Sequence, residues 1–160
     1  MTTLFIDADA CPVTRDAIAV ARAHGVPVML IADSTQNLSR HVRPGVEAVQ
    51  VTTGRDSADF AIIERLAPGD VVVTQDIGVA AMALGRGASA VSPRGRIFWL
   101  ATIDAELEVR HAEQRHRRSG GRTGGPSAFT EDDREHFTES LERLLRDSRR
   151  PGGEHSVVEP

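Results

Sequence analysis

The chain has 160 residues, of which 40% are hydrophobic and 26% are charged, and its formal net charge at pH 7 is -4. These values predict one globular domain with appended segments, and they exclude a fibrous or wholly disordered chain. The acidic balance argues against a general DNA-coating protein, no apolar run is long enough to span a bilayer, and the N-terminus lacks a signal-like pattern. We therefore expect a cytoplasmic protein without a membrane partner.

Residues 4 to 98 alternate strand-like apolar runs with segments of helical periodicity. Near-continuous apolar strands separated by helices are typical of a mostly parallel sheet that is covered by helices on both faces. The predicted order is strand LFID, helix PVTRDAIAVARAHG, strands VPVMLIAD and VEAVQV, helix DSADFAIIERLAPG, strand DVVVTQD, helix IGVAAMALGRG and strand SAVS.

The C-terminal part of the chain has a different pattern. We interpret residues 1–118 as the α/β domain, 119–129 as a Gly-rich loop, 130–148 as an amphipathic helix with Thr130 as its N-cap, and 149–160 as a disordered tail. The apolar stripe of this helix needs a partner, either the domain's own sheet or a second subunit of a homo-oligomer. The stripe consists of Phe137, Leu141, Leu144 and Leu145.

Carboxylates follow three of the predicted strands. Because the carboxyl ends of parallel strands lie on one edge of the sheet, we expect these side chains to gather where open α/β sheets bind ligands. Several anions cannot all stay ionised when they are crowded together, but a divalent cation such as Mg²⁺ or Mn²⁺ makes the cluster tolerable. Such a site can activate water for attack on phosphorus. The predicted metal ligands are Asp7, Asp9, Asp56, Asp59 and Asp76, and the predicted catalytic residues are Asp7, Asp9 and Asp76.

Each of these carboxylates also has a structural interpretation. Asp56 is a candidate helix N-cap, Asp59 suits the first turn of the same helix, and Asp9 and Asp76 precede helices that they could cap. Asp7 has the weakest structural alternative, because burying an unpaired carboxylate is costly. The coincidence at three strand ends favours a metal site. The acids interpreted as ordinary surface or turn residues are Asp16, Asp33 and Asp70.

Five segments resemble, in order, the YaiI/YqxD family of bacterial proteins, which are regarded as relatives of the PIN and NYN nuclease domains. They are DADACPV, GRDSADFAI, VVVTQDIGVAAMALGRGA, SPRGRIF and GGRTGGPSAFTEDDR, and the resemblance spans roughly residues 4 to 145. The resemblance implies a PIN-like three-layer α/β/α sandwich with a central, mostly parallel sheet and a C-terminal helix. Through the superfamily it also implies cleavage of RNA or DNA that depends on Mg²⁺ or Mn²⁺.

The same resemblance assigns roles to individual residues. Asp7 corresponds to the first acid of the PIN pattern, Asp56 or Asp59 to the acid of the central helix, and Asp76 to the acid of a T-x-D element that begins at Thr74. PIN nucleases place a further acid shortly after this element, whereas this chain continues with Ile-Gly-Val. Asp9 would therefore have to supply the additional charge.

Four residues are candidates for binding the phosphates of a nucleic acid: Arg55, Thr74, Arg94 and Arg96. Arginine forks suit phosphate oxygens, but the segment SPRGR is equally well explained as a turn with solvated arginines. The chain has one Trp, five Phe and no Tyr. We therefore expect binding through backbone phosphates, with strong salt dependence, rather than through stacking on bases. Cys11, the only cysteine, is interpreted as a small packing residue.

Three functions remain open at this point. The first is a metal-dependent phosphodiesterase that acts on nucleic acid, with RNA as the expected substrate. The second is a phosphatase of the haloacid dehalogenase type, in which a D-x-D pair supplies the nucleophile and the acid. It fits less well, because the chain contains no lysine to neutralise the phosphate. The third is a non-catalytic nucleic-acid-binding or regulatory module.

Overall fold

A six-stranded sheet forms the centre of the fold in a computed structural model of the chain, which describes residues 1–9, 11–33, 37–52, 57–120 and 127–148. The strand order is β3-β2-β1-β4-β5-β6, in which the first five strands are parallel and β6 runs antiparallel to β5. The strands are β1 (Leu4–Asp7), β2 (Val28–Asp33), β3 (Val46–Val51), β4 (Val71–Val73), β5 (Ser89–Val91) and β6 (Ile97–Phe98).

Helices cover both faces of this sheet. One face packs against the first and last helices, and the other packs against the second and third helices and the first turn of the fourth. The helices are α1 (Thr14–Ala23), α2 (Ser57–Arg65), α3 (Ile77–Gly85), α4 (Leu100–Arg118) and α5 (Glu131–Asp147), with a short 3₁₀ helix at Ser39–His41. The expected three-layer α/β/α sandwich with a mostly parallel sheet and a C-terminal helix is confirmed.

Alternation along the strands explains the two cores. Leu4 and Ile6 of β1 point into the core beneath α1 and α5, while Phe5 between them points into the core beneath α2 and α3. Side chains of successive strand residues face opposite sides of a sheet, so a strand that is apolar throughout must be covered on both sides. The apolar character of LFI therefore fixes β1 in the middle of the sheet, with β2 on one side and β4 on the other.

The C-terminal helix finds its partner within the same chain. A reciprocal capping box joins the side chains and backbone N–H groups of Thr130 and Asp133, and Phe137, Leu141 and Leu145 are fully buried. These side chains join the core that α1 and the sheet share. Of the two partners predicted for this stripe, the domain's own core is the one observed.

Two features of the structure differ from the sequence predictions. β6 was not predicted, because a strand of two residues is too short to show periodicity. Asp70 was interpreted as a surface or turn residue: it closes the turn from Ala67, but it is not on the surface, because it is 4% exposed and accepts hydrogen bonds from the backbone N–H groups of Thr3 and Ala67. A carboxylate can be buried at such a position because backbone donors satisfy it.

Other expectations fall partly or wholly on residues whose structure is not described. They concern most of the Gly-rich loop, the predicted C-terminal tail, Arg55 and Asp56. Among the helices that are described, none combines the length and apolar character needed to cross a membrane.

A tight turn fastens the β5–β6 hairpin to the C-terminal helix. Gly95 has φ +89°, and its carbonyl accepts a hydrogen bond of 2.6 Å from the buried Ser140 hydroxyl of α5. A Cβ atom at Gly95 would lie 2.6 Å from the carbonyl carbon of His136. The segment SPRGR therefore packs its backbone directly on the backbone of α5, and only glycine allows this approach.

Gly95→Ala should lower the free energy of unfolding by about 2–5 kcal/mol, because left-handed strain and overpacking act together. Gly69→Ala is the matched control, since Gly69 has φ +92° but nothing within 4 Å of an added Cβ. Gly69→Ala should lower the free energy of unfolding by about 1–2 kcal/mol, because it introduces left-handed strain without overpacking. Urea unfolding of both variants measures the difference, and equal losses would contradict the close backbone approach.

Candidate functional site

The topology of the sheet brings its chemical groups together between β1 and β4. From β1 the chain moves outward to β2 and β3, and from β4 it moves outward in the opposite direction to β5 and β6. Open α/β sheets bind ligands at such a switch point, beyond the carboxyl ends of the strands. Asp7 ends β1, while Thr74 and Asp76 follow β4, so residues 67 positions apart in sequence meet here.

Thr74 connects the ends of the two strands. Its hydroxyl donates a hydrogen bond of 3.2 Å to Asp7 Oδ2 and accepts one of 3.0 Å from the backbone N–H of Asp76. Thr74 is only 1% exposed, so it orients Asp7 from inside the protein rather than facing a substrate. This placement differs from the expectation that Thr74 contacts a substrate phosphate.

The environment of Asp7 favours its protonated form. Burial is the largest cause and the negative charges of Asp9 and Asp76 add to it, so that together they raise the pKa of Asp7 from 3.8 to about 6. Hydrogen bonds from the Thr74 hydroxyl and the Asp9 backbone N–H act in the opposite direction and do not cancel the effect. We call Asp7, Asp9 and Asp76 the acidic rim, because the charges of Asp9 and Asp76 act on Asp7 at the switch point.

Asp9 does not cap the helix that follows it. Helix α1 begins at Thr14 with Val13 as its N-cap, and no side chain caps it. Asp9 Oδ1 instead accepts a hydrogen bond of 3.3 Å from the backbone N–H of Asp33 at the end of β2. This bond holds the segment after β1 against the neighbouring strand, and thereby keeps Asp9 beside Asp7.

Asp76 has the structural role that was considered for it. It is the N-cap of α3, and its Oδ1 accepts hydrogen bonds of 2.8 Å from Gly78 N–H and 3.3 Å from Val79 N–H. A Cβ atom at Gly78 would come within 3.1 Å of this oxygen, so glycine gives the cap its room. The Asp76 side chain is exposed at the rim. Both capping hydrogen bonds end on Oδ1, so Oδ2 takes no part in the cap.

The remaining predicted ligands are less well defined by the structure. Asp59 lies half-buried in the first turn of α2, and Asp56 and Arg55 lie outside the described residues. In the described portion of the chain, no group of three or more His, Cys, Asp or Glu side chains is arranged to hold a metal ion. The five-residue ligand set therefore stays a prediction.

Arg94 and Arg96 are engaged within the protein. Arg94 Nη1 lies 2.9 Å from Asp133 Oδ2 in α5, and Arg96 forms an ion pair with Glu106 in α4. Phosphate binding by these arginines stays a prediction, but each guanidinium already has a carboxylate partner. The turn expected for SPRGR is present, but its two arginine side chains are paired with carboxylates rather than only solvated.

Two cavities flank the acidic rim and share Pro12 in their walls. The larger, of about 830 Å³, lies beside α4 and is lined by Gln75 and Ile77 near the rim. The smaller, of about 480 Å³, lies beside the start of α1 and is lined by Ala8 and Cys11. Cys11 itself is half-buried and packs against the core, where burial raises the pKa of its thiol.

The cations of the smaller cavity were not predicted from the sequence. Arg15 lies on the first turn of α1, Arg40 lies on the 3₁₀ helix, and both line this cavity together with the buried His41. Arg40 belongs to a polar connection without periodicity and is separated from Arg15 by β2. No local pattern could have indicated that these residues meet.

The fold and the acidic rim define an α/β protein with a carboxylate-lined switch point, and sequence comparison identifies its family. Residues 5–147 match the family model described as "Uncharacterized BCR, YaiI/YqxD family". The chain belongs to the YaiI/YqxD family, which confirms the resemblance seen in its motifs.

Relatives cover nearly the whole chain. A UPF0178 protein of Exiguobacterium sibiricum is 43% identical over 142 residues, which is 89% of this chain and 95% of the relative. A UPF0178 protein of Xanthomonas oryzae pv. oryzae is 47% identical over 150 residues and 92% of each chain. Among solved structures, Rae1 (YacP) from Bacillus subtilis matches with a TM-score of 0.40 at 19% identity, covering 91% of this chain and 98% of its own.

Asp7→Asn should stabilise the metal-free protein above pH 6. The pKa of Asp7 is about 6 in the folded protein and 3.8 ordinarily. The folded protein therefore loses stability as the pH rises from 3.8 to about 6, because Asp7 must then ionise in an unfavourable place. Removing the charge should add about 1–3 kcal/mol to the free energy of unfolding at pH 8 and almost nothing at pH 4. Urea unfolding in EDTA at both pH values measures this.

Asp104→Asn is the control for this experiment, because Asp104 is an exposed carboxylate on α4. It should stay within about 0.5 kcal/mol of wild type at each pH. An Asp7→Asn protein that is less stable than wild type at pH 8 would contradict the unfavourable burial of the carboxylate.

Proposed function

We propose that this protein is a Mg²⁺- or Mn²⁺-dependent phosphodiesterase that hydrolyses nucleic acid, with RNA as the expected substrate. The observation that supports this most directly is the position of Asp7, a half-buried carboxylate whose pKa is raised to about 6 by burial and by Asp9 and Asp76. Perturbed carboxylates at a switch point are characteristic of functional sites, because a structural role gives no reason to keep an unfavourable charge there.

Carboxylates are the donor type that a hard divalent cation prefers, although the three described side chains of the acidic rim are not arranged as a ready-made ligand group. Mg²⁺ and Mn²⁺ prefer carboxylate oxygens, and Mg²⁺ takes few protein ligands while water and substrate phosphates complete its coordination. A positive ion would also relieve the repulsion that raises the pKa of Asp7. Asp7, Asp9 and Asp76 would hold the ion, with Asp59 and Asp56 as further expected ligands.

The chain's own groups would prepare this site for phosphoryl chemistry. The Thr74 hydroxyl fixes the rotamer of Asp7, the backbone N–H of Asp33 fixes Asp9, and the N-cap geometry fixes Asp76. A bound ion supplies activation of water for attack on phosphorus and offsets charge on the leaving oxygen. Rigid carboxylates matter because such catalysis depends on positioning and electrostatic stabilisation.

A non-catalytic nucleic-acid-binding module is the second candidate. One observation favours it: Asp9 and Asp76 each accept backbone hydrogen bonds, which would explain their presence without a metal. The two candidates differ in what they require of Asp7. A metal site needs its charge, whereas a binding module keeps its function when Asp7 becomes neutral.

Mn²⁺ at about ten times its Kd should stabilise the wild-type protein by about 1.4 kcal/mol, because a ligand of the folded state shifts unfolding by mass action. The melting temperature should then rise by about 3–6 °C. Asp7→Asn and Asp76→Asn should reduce the rise, and asparagine at position 76 can still cap α3. Asp104→Asn is the control, and a full rise in the Asp7→Asn, Asp76→Asn double variant would place the metal elsewhere.

Cleavage is tested separately. Wild type and Asp104→Asn should cut labelled single-stranded RNA in Mn²⁺, while Asp7→Asn should lose at least a hundredfold in rate if electrostatic stabilisation is removed. EDTA should abolish cleavage by wild type. RNA that stays intact with wild type in Mn²⁺ but is bound by it would favour the binding module.

A further inference from the structure

The smaller cavity beside the acidic rim is a concentration of positive charge. Arg15 and Arg40 line it, and Arg43 donates a hydrogen bond of 3.2 Å to the carbonyl of His41 just behind it. His41 is 6% exposed and its Nε2 accepts a hydrogen bond from Arg40 Nε. Burial lowers the pKa of His41, and the positive charges of Arg40, Arg15 and Arg43 lower it further. We call this space the cationic cavity, with Arg15 and Arg40 in its wall and Arg43 behind His41.

These arginines lack the partners that other arginines of the protein have. Arg134, in the same cavity wall, forms an ion pair with Asp16 and so joins α5 to α1. Within the described residues, no carboxylate oxygen lies within 4 Å of the guanidinium groups of Arg15, Arg40 or Arg43. All three side chains are exposed. The carboxylate of Asp16 also lines this cavity, but it is paired with Arg134, so Arg15 and Arg40 leave an excess of positive charge that favours an anionic ligand.

The cationic cavity adjoins the acidic rim through Ala8. Ala8 and Cys11 line its wall, and Ala8 lies between Asp7 and Asp9 in sequence. Asp16, which is paired with Arg134, lies in the same wall. A chain of phosphates bound at the rim would therefore have the cavity beside it.

The proposed reaction requires such a group of cations. Three carboxylates repel a polyanion, and Arg94 and Arg96 each already have a carboxylate partner, Asp133 and Glu106. Cations without such a partner near the rim are therefore suited to attract the strand. Arginine suits this role because its planar donors match phosphate oxygens.

We propose that the cationic cavity binds the backbone phosphates of the nucleic-acid strand next to the phosphodiester bond that lies at the acidic rim. This assignment rests on the proposed function for its biological setting, but the binding itself does not depend on catalysis. The ligand chemistry is the internal phosphodiester. Arg15 and Arg40 are its direct contacts, and Arg43 supports them through His41.

Binding of fluorescein-labelled single-stranded RNA in EDTA tests this proposal without cleavage. The Arg15→Ala, Arg40→Ala double variant should bind about ten- to thirtyfold more weakly at 0.1 M salt, because two phosphate contacts are lost. The slope of log K against log salt should fall by about 1.4, and the loss should be similar for RNAs of different sequence. Fluorescence anisotropy measures each quantity, and circular dichroism and the melting temperature verify that the variant is folded.

The matched control is Arg22→Ala, Arg86→Ala. These exposed arginines lie at the ends of α1 and α3, where the chain returns to the opposite edge of the sheet, and the change in net charge is the same. The control should bind RNA nearly as well as wild type. Equal weakening in both double variants would overturn the proposal, since it would show an effect of net charge alone. Unchanged binding in the Arg15, Arg40 variant would overturn it as well.

Two further binding experiments distinguish an internal phosphodiester from a terminal phosphate, and strand binding from cleavage. If the weakening occurs only with RNA that carries a terminal phosphate, and not with RNA lacking one, the internal phosphodiester is excluded and the proposal fails. Asp7→Asn should bind RNA in EDTA at least as tightly as wild type, because it loses a negative charge near the strand. RNA that is bound through Arg15 and Arg40 but never cut in Mn²⁺ would support the cationic cavity while overturning the proposed nuclease.

Discussion

The hydrogen bond from Thr74 to Asp7 joins the ends of β1 and β4, and the geometry of the candidate site depends on it. Both strands are apolar and buried on two faces, so their ends are held by the most rigid part of the protein. The buried hydroxyl gives Asp7 one orientation, and the same hydroxyl accepts the N–H that starts the turn into α3. The two acids of neighbouring strands are therefore positioned by a single threonine.

The acidic rim is a site whose charge opposes the stability of the fold. Burial and the charges of two neighbouring carboxylates keep the pKa of Asp7 near 6, although each member has a hydrogen bond that limits the repulsion. Asp70 shows the contrast, since its two backbone donors make a buried carboxylate part of the framework. What distinguishes Asp7, the proposed functional acid, from the structural Asp70 is therefore the number of like charges that it faces.

The arginines of the protein divide in a similar way. Arg94, Arg96 and Arg134 are paired with acids and fasten the hairpin, α4 and α5 to the domain. Arg15 and Arg40 line a cavity beside the acidic rim, Arg43 lies behind it against His41, and none of the three has a carboxylate partner among the described residues. Negative and positive groups thus lie near each other at one edge of the sheet, which is the arrangement that the proposed polyanionic substrate and metal ion would need.

The sequence by itself determined the alternation of strands and helices, the parallel character of the sheet, and the gathering of Asp7 and Asp76 at one edge. Each follows from local pattern and from the rule that parallel strands end together. It also identified the family. Only the tertiary structure decided that Thr74 is buried, that Arg94 is paired with Asp133, and that Arg15 meets Arg40. These outcomes depend on contacts between segments distant in sequence, and no local periodicity encodes such contacts.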